Sequence, residues 1–220
     1  MKHKIPIPTI KRFPSYLRLM KQYNEEGRET ISATILAKDL GLNPIQVRKD
    51  LSFSGIEGKP KVGFKVTELI ESLTNSLGWD NVSDAIIIGA GNLGKALISY
   101  EGFENYGFQI VAAFDKDPAK DGLKVGKVEV RPLVKMEEYI IENRINIAIL
   151  AVPVPQAQVS AELLVKCGIK AIWSFVPTDL RLPSRIALQR TDLATHFAVL
   201  AQKLQTKIDN KENLPDGDDW

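Results

Sequence analysis

Three glycines spaced Gly89-x-Gly91-x-x-Gly94 follow directly on the apolar run Ala85–Ile88 and lead at once into a helix-like segment, Asn92–Tyr100. Each part has a mechanical use. The apolar run reads as a strand buried on both faces. Gly89 permits a tight turn, Gly91 leaves the backbone bare for a pyrophosphate, and Gly94 lets the helix pack closely on the strand. Free N–H groups and the positive dipole end of that helix then face the phosphates. Gly89, Ala90, Gly91, Asn92, Leu93 and Gly94 are therefore the candidate cradle. Glycine turns are common, and a plain structural turn would carry the same residues. The position between strand and helix is what favours a dinucleotide. Gln109–Asp115 reads as the next strand, with Asp115 placed 21 residues past Gly94. A carboxylate there accepts hydrogen bonds from an adenosine ribose and repels a 2′-phosphate, which favours NAD(H) over NADP(H). Adjacent Lys116 argues the other way, and an Asp at a strand end also serves as a turn residue.

A second group sits earlier in the chain. Asn43 is placed to cap a helix whose first position is Pro44. The helix reads Pro44-Ile-Gln-Val-Arg-Lys-Asp-Leu-Ser52. Ile45, alone or with Val47, and Leu51 are expected to bury, leaving Gln46, Arg48, Lys49 and Ser52 for solvent or a ligand. Arg suits guanine, Gln suits adenine and Lys suits phosphates. A preceding helix, Ala33–Leu40, is expected to turn Ile35, Leu36 and Leu40 inward and to end at Gly41. Two short helices joined by a glycine turn fit a helix-turn-helix. Gly55–Val66 follows, rich in turn residues, and reads as a β-hairpin wing with Lys59, Lys61 and Lys65 near a DNA backbone. A three-helix packing module without a nucleic-acid role is the competing reading of residues 14–66.

Composition is consistent with both groups. The chain has 220 residues, 44% hydrophobic, and a net charge of +2. Residues 1–65 hold 13 Lys and Arg against 6 Asp and Glu, so the remainder is net acidic. That asymmetry suits a first segment that meets a polyanion, although a solvated basic surface has the same charge. No apolar run is long enough to span a membrane, and the basic start has no signal-peptide core. The single cysteine, Cys167, excludes an internal disulfide and a Cys-cluster zinc site. No metal is expected, and a cytoplasmic location is.

The elements that must position these residues run as follows. Ile5–Thr9 holds two prolines and reads as an extended arm. Pro14 starts a helix that ends near Glu26. Thr67–Leu77 is a connecting helix, closed at Gly78. From Asp84 the pattern is βαβ. Val128–Arg131 reads as a short strand and Met136–Asn143 as a helix. Buried strands Asn146–Val152 and Lys170–Phe175 flank a helix at about Gln156–Lys166. Their ends, at Val152-Pro153 and Phe175-Val-Pro177, would line the crevice of an open parallel sheet, or simply punctuate turns. A last helix, Leu193–Ile208, carries Phe197, Leu200 and Leu204 on one side. It packs either on a partner chain or back on its own sheet. Asp209–Trp220 holds five acids and one Lys and is expected to be disordered.

From about Pro14 to Leu204 the chain resembles the family of redox-sensing transcriptional repressors called Rex. The resemblance is carried by Gln46-Val-Arg-Lys-Asp-Leu-Ser52, by Tyr16-Leu-Arg-Leu19, by the Gly89–Gly94 loop and by Tyr100-x-Gly-Phe103. Phe114-Asp-Lys-Asp-Pro118, Ala151-Val-Pro153, Gly168-Ile-Lys170 and Thr191-Asp-Leu193 complete it. Ser54, Lys61, Phe64 and Ser174 depart from the family pattern. The resemblance implies an α/β chain. An N-terminal winged helix-turn-helix domain (1–78) precedes a Rossmann-like, doubly wound parallel sheet (79–191). A C-terminal helix exchanged between subunits (192–208) and an acidic tail (209–220) follow. It implies a homodimeric repressor that binds inverted-repeat operator DNA, senses NADH against NAD⁺ and leaves the DNA when NADH binds. The family's Arg, Tyr and Asp near the nicotinamide fall on Arg18, Tyr100 and Asp192. Pro153, Phe175 and Pro177 are expected to form an apolar pocket for the ring. An NAD-dependent dehydrogenase is the first competitor, but it would need an acid or base beside the nicotinamide, and the histidines are only His3 and His196. The second is a nucleotide- or acyl-CoA-binding module that has no DNA role.

Overall fold

The computed structural model describes residues 5–60 and 62–211. They divide into two compact units. One runs to Val82 and includes Asn105–Gly107; the other comprises Ser83–Glu104 and the chain from Phe108 onward.

The first unit is built from α1 (Ile7–Glu25), β1 (Thr30–Ile31), α2 (Ala33–Asp39), α3 (Pro44–Ser52), β2 (Phe64–Lys65) and α4 (Val66–Leu77). No extended arm occupies Ile5–Thr9. α1 begins at Ile7, capped by Pro6, with Pro8 in the first turn, where a missing N–H costs nothing. The helix also continues through Pro14, which cannot bond the carbonyl one turn back and should cost about 3 kcal/mol. Phe13, Tyr16, Leu17, Met20 and Tyr23 are buried around that position, and their burial outweighs the local penalty. Two inward assignments fail for one geometric reason. Ile35 is 43% exposed and Ile45 75% exposed. In α2 the buried face is Ala33, Leu36 and Ala37, and in α3 it is Val47, Asp50 and Leu51. At 100° per residue, Ile35 and Ile45 fall on the opposite side.

The expected wing is shorter than a two-stranded hairpin. A single bridge, Lys59 with Gly63, closes a tight turn, and β2 pairs instead with β1 through Thr30–Lys65 and Ile31–Phe64. Gly63 sits at φ 89°, and a Cβ there would lie 2.4 Å from the Ile31 carbonyl oxygen. The backbone therefore runs against β1 at that point. Lys61 lies outside the described residues. α4 ends at Gly78, left-handed at φ 70°. Trp79 then packs on Tyr106, ring centroids 5.1 Å apart, within the same unit.

The second unit alternates strand and helix. Its elements are β3 (Ser83–Ile88), α5 (Asn92–Ile98), β4 (Phe108–Asp115), β5 (Lys124–Val125), β6 (Val128–Pro132), α6 (Met136–Glu142), β7 (Ile147–Leu150), α7 (Val154–Lys166), β8 (Ala171–Ser174), β9 (Ala187–Arg190) and α8 (Leu193–Lys211). The strand order is β5-β6-β4-β3-β7-β8-β9. All neighbours are parallel except β5 and β6. Strands β3 to β6 build outward on one side of β3, and the chain then crosses over to build β7 to β9 on the other. β3 and β7 thus flank the switch point, where an open parallel sheet leaves a crevice. Successive residues of β3 feed two cores: Ile86 and Ile88 join one buried cluster and Ile87 the other. Both faces are buried, as the continuous apolar run requires. β9 was not anticipated. It is an edge strand of sequence Ala-Leu-Gln-Arg with one partner, so it lacks the apolar run of a central strand. α8 extends to Lys211, three residues beyond the expected end; the rest of the acidic tail, 212–220, lies outside the described residues.

Candidate functional site

The glycine loop joins the end of β3 to α5 at the switch point. Gly89 has φ 98°, and a Cβ there would lie 2.3 Å from the Ala151 carbonyl oxygen. A Cβ on Gly94 would lie 1.9 Å from the carbonyl oxygen of Gly89. Both are required by the protein's own packing. Gly91 is different: nothing lies within 4 Å of its missing Cβ, and the residue is exposed. Bare backbone facing open space suits a close-approaching ligand. Helix geometry leaves the N–H groups of Asn92, Leu93 and Gly94 without intrahelical acceptors, beside that space. These residues fit a dinucleotide pyrophosphate.

Asp115 stands at the end of β4 with 9% of its surface exposed. Its Oδ2 accepts the Ala90 N–H and the Lys120 ammonium, each at 2.8 Å, and its Oδ1 accepts the Asp117 N–H at 3.0 Å. Burial pushes the carboxyl's pKa up, but the Lys120 bond and the two backbone donors outweigh it, so it titrates below the ordinary carboxylate range. The carboxylate thus braces the glycine loop directly. Lys116, the cation singled out from sequence, is exposed, whereas Lys120 is the one that pairs with Asp115. Lys120 was missed because nothing in its local pattern distinguishes it from other lysines.

The sheet order brings the remaining strand ends alongside. Val152 packs near Gly89, with its Cγ1 3.1 Å from the position of a Gly89 Cβ. The Phe175 N–H donates to the Leu150 carbonyl. Asp115, the glycine loop, Val152-Pro153 and Phe175-Val-Pro177 therefore occupy successive strand ends on one edge of the sheet. Val152 and Phe175 are partly buried, and Pro153 and Pro177 exposed.

Behind that edge lies a chain of rings that sequence reading did not find. Trp173 packs on Phe175 at 4.8 Å, and Phe103 on Phe108 at 4.4 Å; Trp173 meets both Phe103 and Phe108 at 6.0 Å. Tyr100 reaches the chain edge-on through Phe103, at 4.8 Å. Trp173 Nε1 also donates to Thr191 Oγ1 at 2.8 Å. The next residue, Asp192, accepts from the Ala194 N–H and the Thr195 hydroxyl, both at 2.9 Å, which caps α8. Those bonds, the hydroxyl's first, hold its carboxyl below the usual range. Tyr100 thus reaches the Trp173 indole through Phe103, and Thr191, the residue before Asp192, is hydrogen-bonded to that indole. Arg18 lies on α1, in the first unit.

In that first unit, Asn43 Oδ1 accepts the Ile45 N–H at 2.8 Å and caps α3 as its position implies. Gln46, Arg48, Lys49 and Ser52 are exposed. Ser52 donates back to the Lys49 carbonyl. Arg48 and Lys59 line one depression with Ser32, Gly58 and Val62, so helix and wing share a face. The residue overlooked is Asp50. Fully buried, it accepts from Thr9 Oγ1 at 2.9 Å, Arg12 Nε at 2.6 Å and Nη2 at 2.8 Å, Tyr16 OH at 2.6 Å and Gln46 Nε2 at 2.9 Å. Burial alone would raise its pKa, yet the four donor side chains, Arg12 foremost, bring it down to about 2. The guanidinium and the Tyr16 hydroxyl are pushed well above their ordinary values. This carboxylate ties α3 to α1 and anchors one amide hydrogen of Gln46. The Gln46 Oε1 stays outside that network. Among the described residues no helix is long and apolar enough to cross a membrane, and no group of His, Cys, Asp and Glu could hold a metal.

Comparison with known proteins follows the same division. A family model described as a putative DNA-binding protein N-terminus matches residues 4–52, and one described as a CoA binding domain matches 80–178. A redox-sensing transcriptional repressor Rex of Treponema denticola is 43% identical over 94% of this chain and 99% of its own. A crystal structure of RSP in complex with β-NAD⁺ and operator DNA has a TM-score of 0.88 at 36% identity, covering 95% of this chain and 96% of that one. RSP in complex with β-NADH has a TM-score of 0.84, also at 36% identity, over 96% and 99%. The curated relatives are named as repressors, not as enzymes, over nearly their whole length. With two units of matching fold, a glycine loop at the switch point of one and a capped basic helix in the other, the chain belongs to the Rex family of redox-sensing transcriptional repressors.

Proposed function

We propose that this protein is a transcriptional repressor that binds inverted-repeat operator DNA as a cytoplasmic homodimer and is released when NADH occupies the second unit. The observation that carries the reading is the full-length match, at 36% identity, to a repressor solved with both NAD⁺ and operator DNA. α3 enters a major groove and Gln46, Arg48 and Lys49 meet base edges and phosphates, with Asn43, Ser52, Lys59 and Lys61 adding backbone contacts. The loop Gly89–Gly94 holds the pyrophosphate and Asp115 the adenosine ribose, with Lys116 nearby. The nicotinamide is a flat cation when oxidised and neutral when reduced. An apolar surface at Val152, Pro153, Phe175 and Pro177 disfavours an unpaired cation, so these residues distinguish the two forms. Arg18, Tyr100 and Asp192 pass the difference on, the last two through the Trp173 ring chain. A second copy of the chain covers α8, whose Leu193, Phe197, Leu200 and Leu204 are each more than half exposed.

The test is an electrophoretic mobility shift on fragments carrying inverted repeats, titrated with NADH, NAD⁺ and CoA. Wild type should bind, release with NADH and ignore the other two. Arg48→Ala should lose roughly 1–3 kcal/mol of specific binding. Gly91→Val should bind DNA normally and no longer respond to NADH. Binding that is indifferent to NADH, or failure to bind any fragment, contradicts the proposal.

A further inference from the structure

The Asp115 carboxylate has about four acceptor positions. Three are already in use, by Ala90, Asp117 and Lys120. The first two donors are backbone groups in the glycine loop and in the turn after β4. The third is a side chain set by the short 3-10 turn Pro118–Lys120, which Asp117 caps by accepting the Ala119 N–H. Lys120 keeps 28% of its side chain exposed, so the pair is not sealed from solvent. Two consequences follow. Paired at 2.8 Å, Asp115 and Lys120 carry no net charge, so the repulsion that a bare carboxylate exerts on a 2′-phosphate is largely cancelled. Lys120 also takes an acceptor position that a ribose hydroxyl would otherwise use.

We propose that Lys120 is a specificity-determining residue of the nucleotide site, setting how strongly the chain prefers a dinucleotide without a 2′-phosphate over one that carries it. The proposal rests on the reading that the glycine loop binds NAD(H). Removing the ammonium leaves an uncancelled carboxylate and frees one acceptor position. Both changes act in one direction, weakening NADPH and leaving NADH equal or tighter. A lysine that only tethers its turn would, when removed, loosen both nucleotides alike.

The experiment is calorimetric titration of the full-length chain with NADH and with NADPH, reading the ratio of the two Kd values. Lys120→Gln should raise the ratio of NADPH to NADH Kd by about threefold to tenfold. Lys120→Arg should restore the wild-type ratio, and Asp115→Asn should lower it. Lys116→Gln, at an exposed lysine outside the pair, should move the ratio less than Lys120→Gln. An unchanged or lowered ratio in Lys120→Gln overturns the proposal while leaving NADH binding intact. Should Lys120→Gln fail to fold, a wild-type ratio that does not change when salt is raised would overturn it instead. Wild type that binds neither nucleotide overturns the reading of the glycine loop, and the role of Lys120 with it.

Discussion

Asp50 and Asp115 are both buried carboxylates that titrate below their ordinary range, yet they are built for opposite uses. Asp50 is closed. Its donors are four side chains from α1 and α3, and no surface of it meets solvent. Asp115 is open at one corner. Its donors are two backbone groups and one partly exposed lysine, and it stands where the strands end. A closed carboxylate clamps two helices. A carboxylate at the strand ends with three donors in place keeps one acceptor position for a ligand. Arg12 and Lys120 are equally exposed, so donor exposure does not separate the two roles; the source of the donors does, side chains of two helices for Asp50 and, for Asp115, chiefly the backbone of the glycine loop and of the turn after β4.

The largest test of this contrast is deletion of each acid. Asp50→Ala leaves the partly buried Arg12 guanidinium and the fully buried Tyr16 hydroxyl without their acceptor, and should destabilise the first unit by about 3–5 kcal/mol. Urea unfolding followed by Trp79 fluorescence, with Trp173 and Trp220 replaced by Phe, isolates that unit. A loss under 1 kcal/mol would show that the clamp is dispensable. Acid should give the next largest effect. A carboxyl with a depressed folded pKa contributes stability above its unfolded pKa, near 4, that is lost as pH falls through about 2. On the order of 2 kcal/mol should vanish from the first unit between pH 4 and pH 2, and Asp50→Asn should flatten that slope. Asp115→Ala should cost less, about 1–2 kcal/mol, chiefly from the stranded Ala90 N–H. Nucleotide affinity should suffer more than stability, in contrast to Asp50. Asn43→Ala should be smallest, about 1 kcal/mol from the lost cap of α3, read as a modest drop in thermal midpoint with DNA-base preference unchanged.

The parts of the site that were legible in the sequence are the locally encoded ones. Gly89, Gly91 and Gly94 announce a turn between strand and helix because backbone freedom is a property of the single residue. Asn43-Pro44 announces a helix start for the same reason. The errors arose where local rules met tertiary burial. Pro14 marks a helix start by propensity, but the packing of Phe13 and Tyr16 carries α1 straight through it. Ile35 and Ile45 are apolar and were assigned inward, but the phase of each helix is set by its neighbours' larger buried face. The ring chain through Trp173 joins residues from Tyr100 to Thr191, a separation no local pattern spans.

From the sequence alone come the central strands and helices of the second unit, the glycine turn between β3 and α5, and the helix that carries the basic face, whereas the edge strand β9 does not. Those features depend on periodicity and on single-residue backbone preferences, which are written in neighbouring positions. Only the tertiary structure decided that Asp50 clamps two helices and that Asp115 braces the glycine loop. Arg12 and Asp50 are 38 residues apart, and the Gly89 turn is shaped by Ala151 across the crossover. Even for Asp115 and Lys120, five residues apart, the pairing depends on the turn that aims the lysine and on the β3 loop that holds the carboxylate. A carboxylate carries the same chemistry wherever it stands, and only the donors that folding brings to it decide what it does.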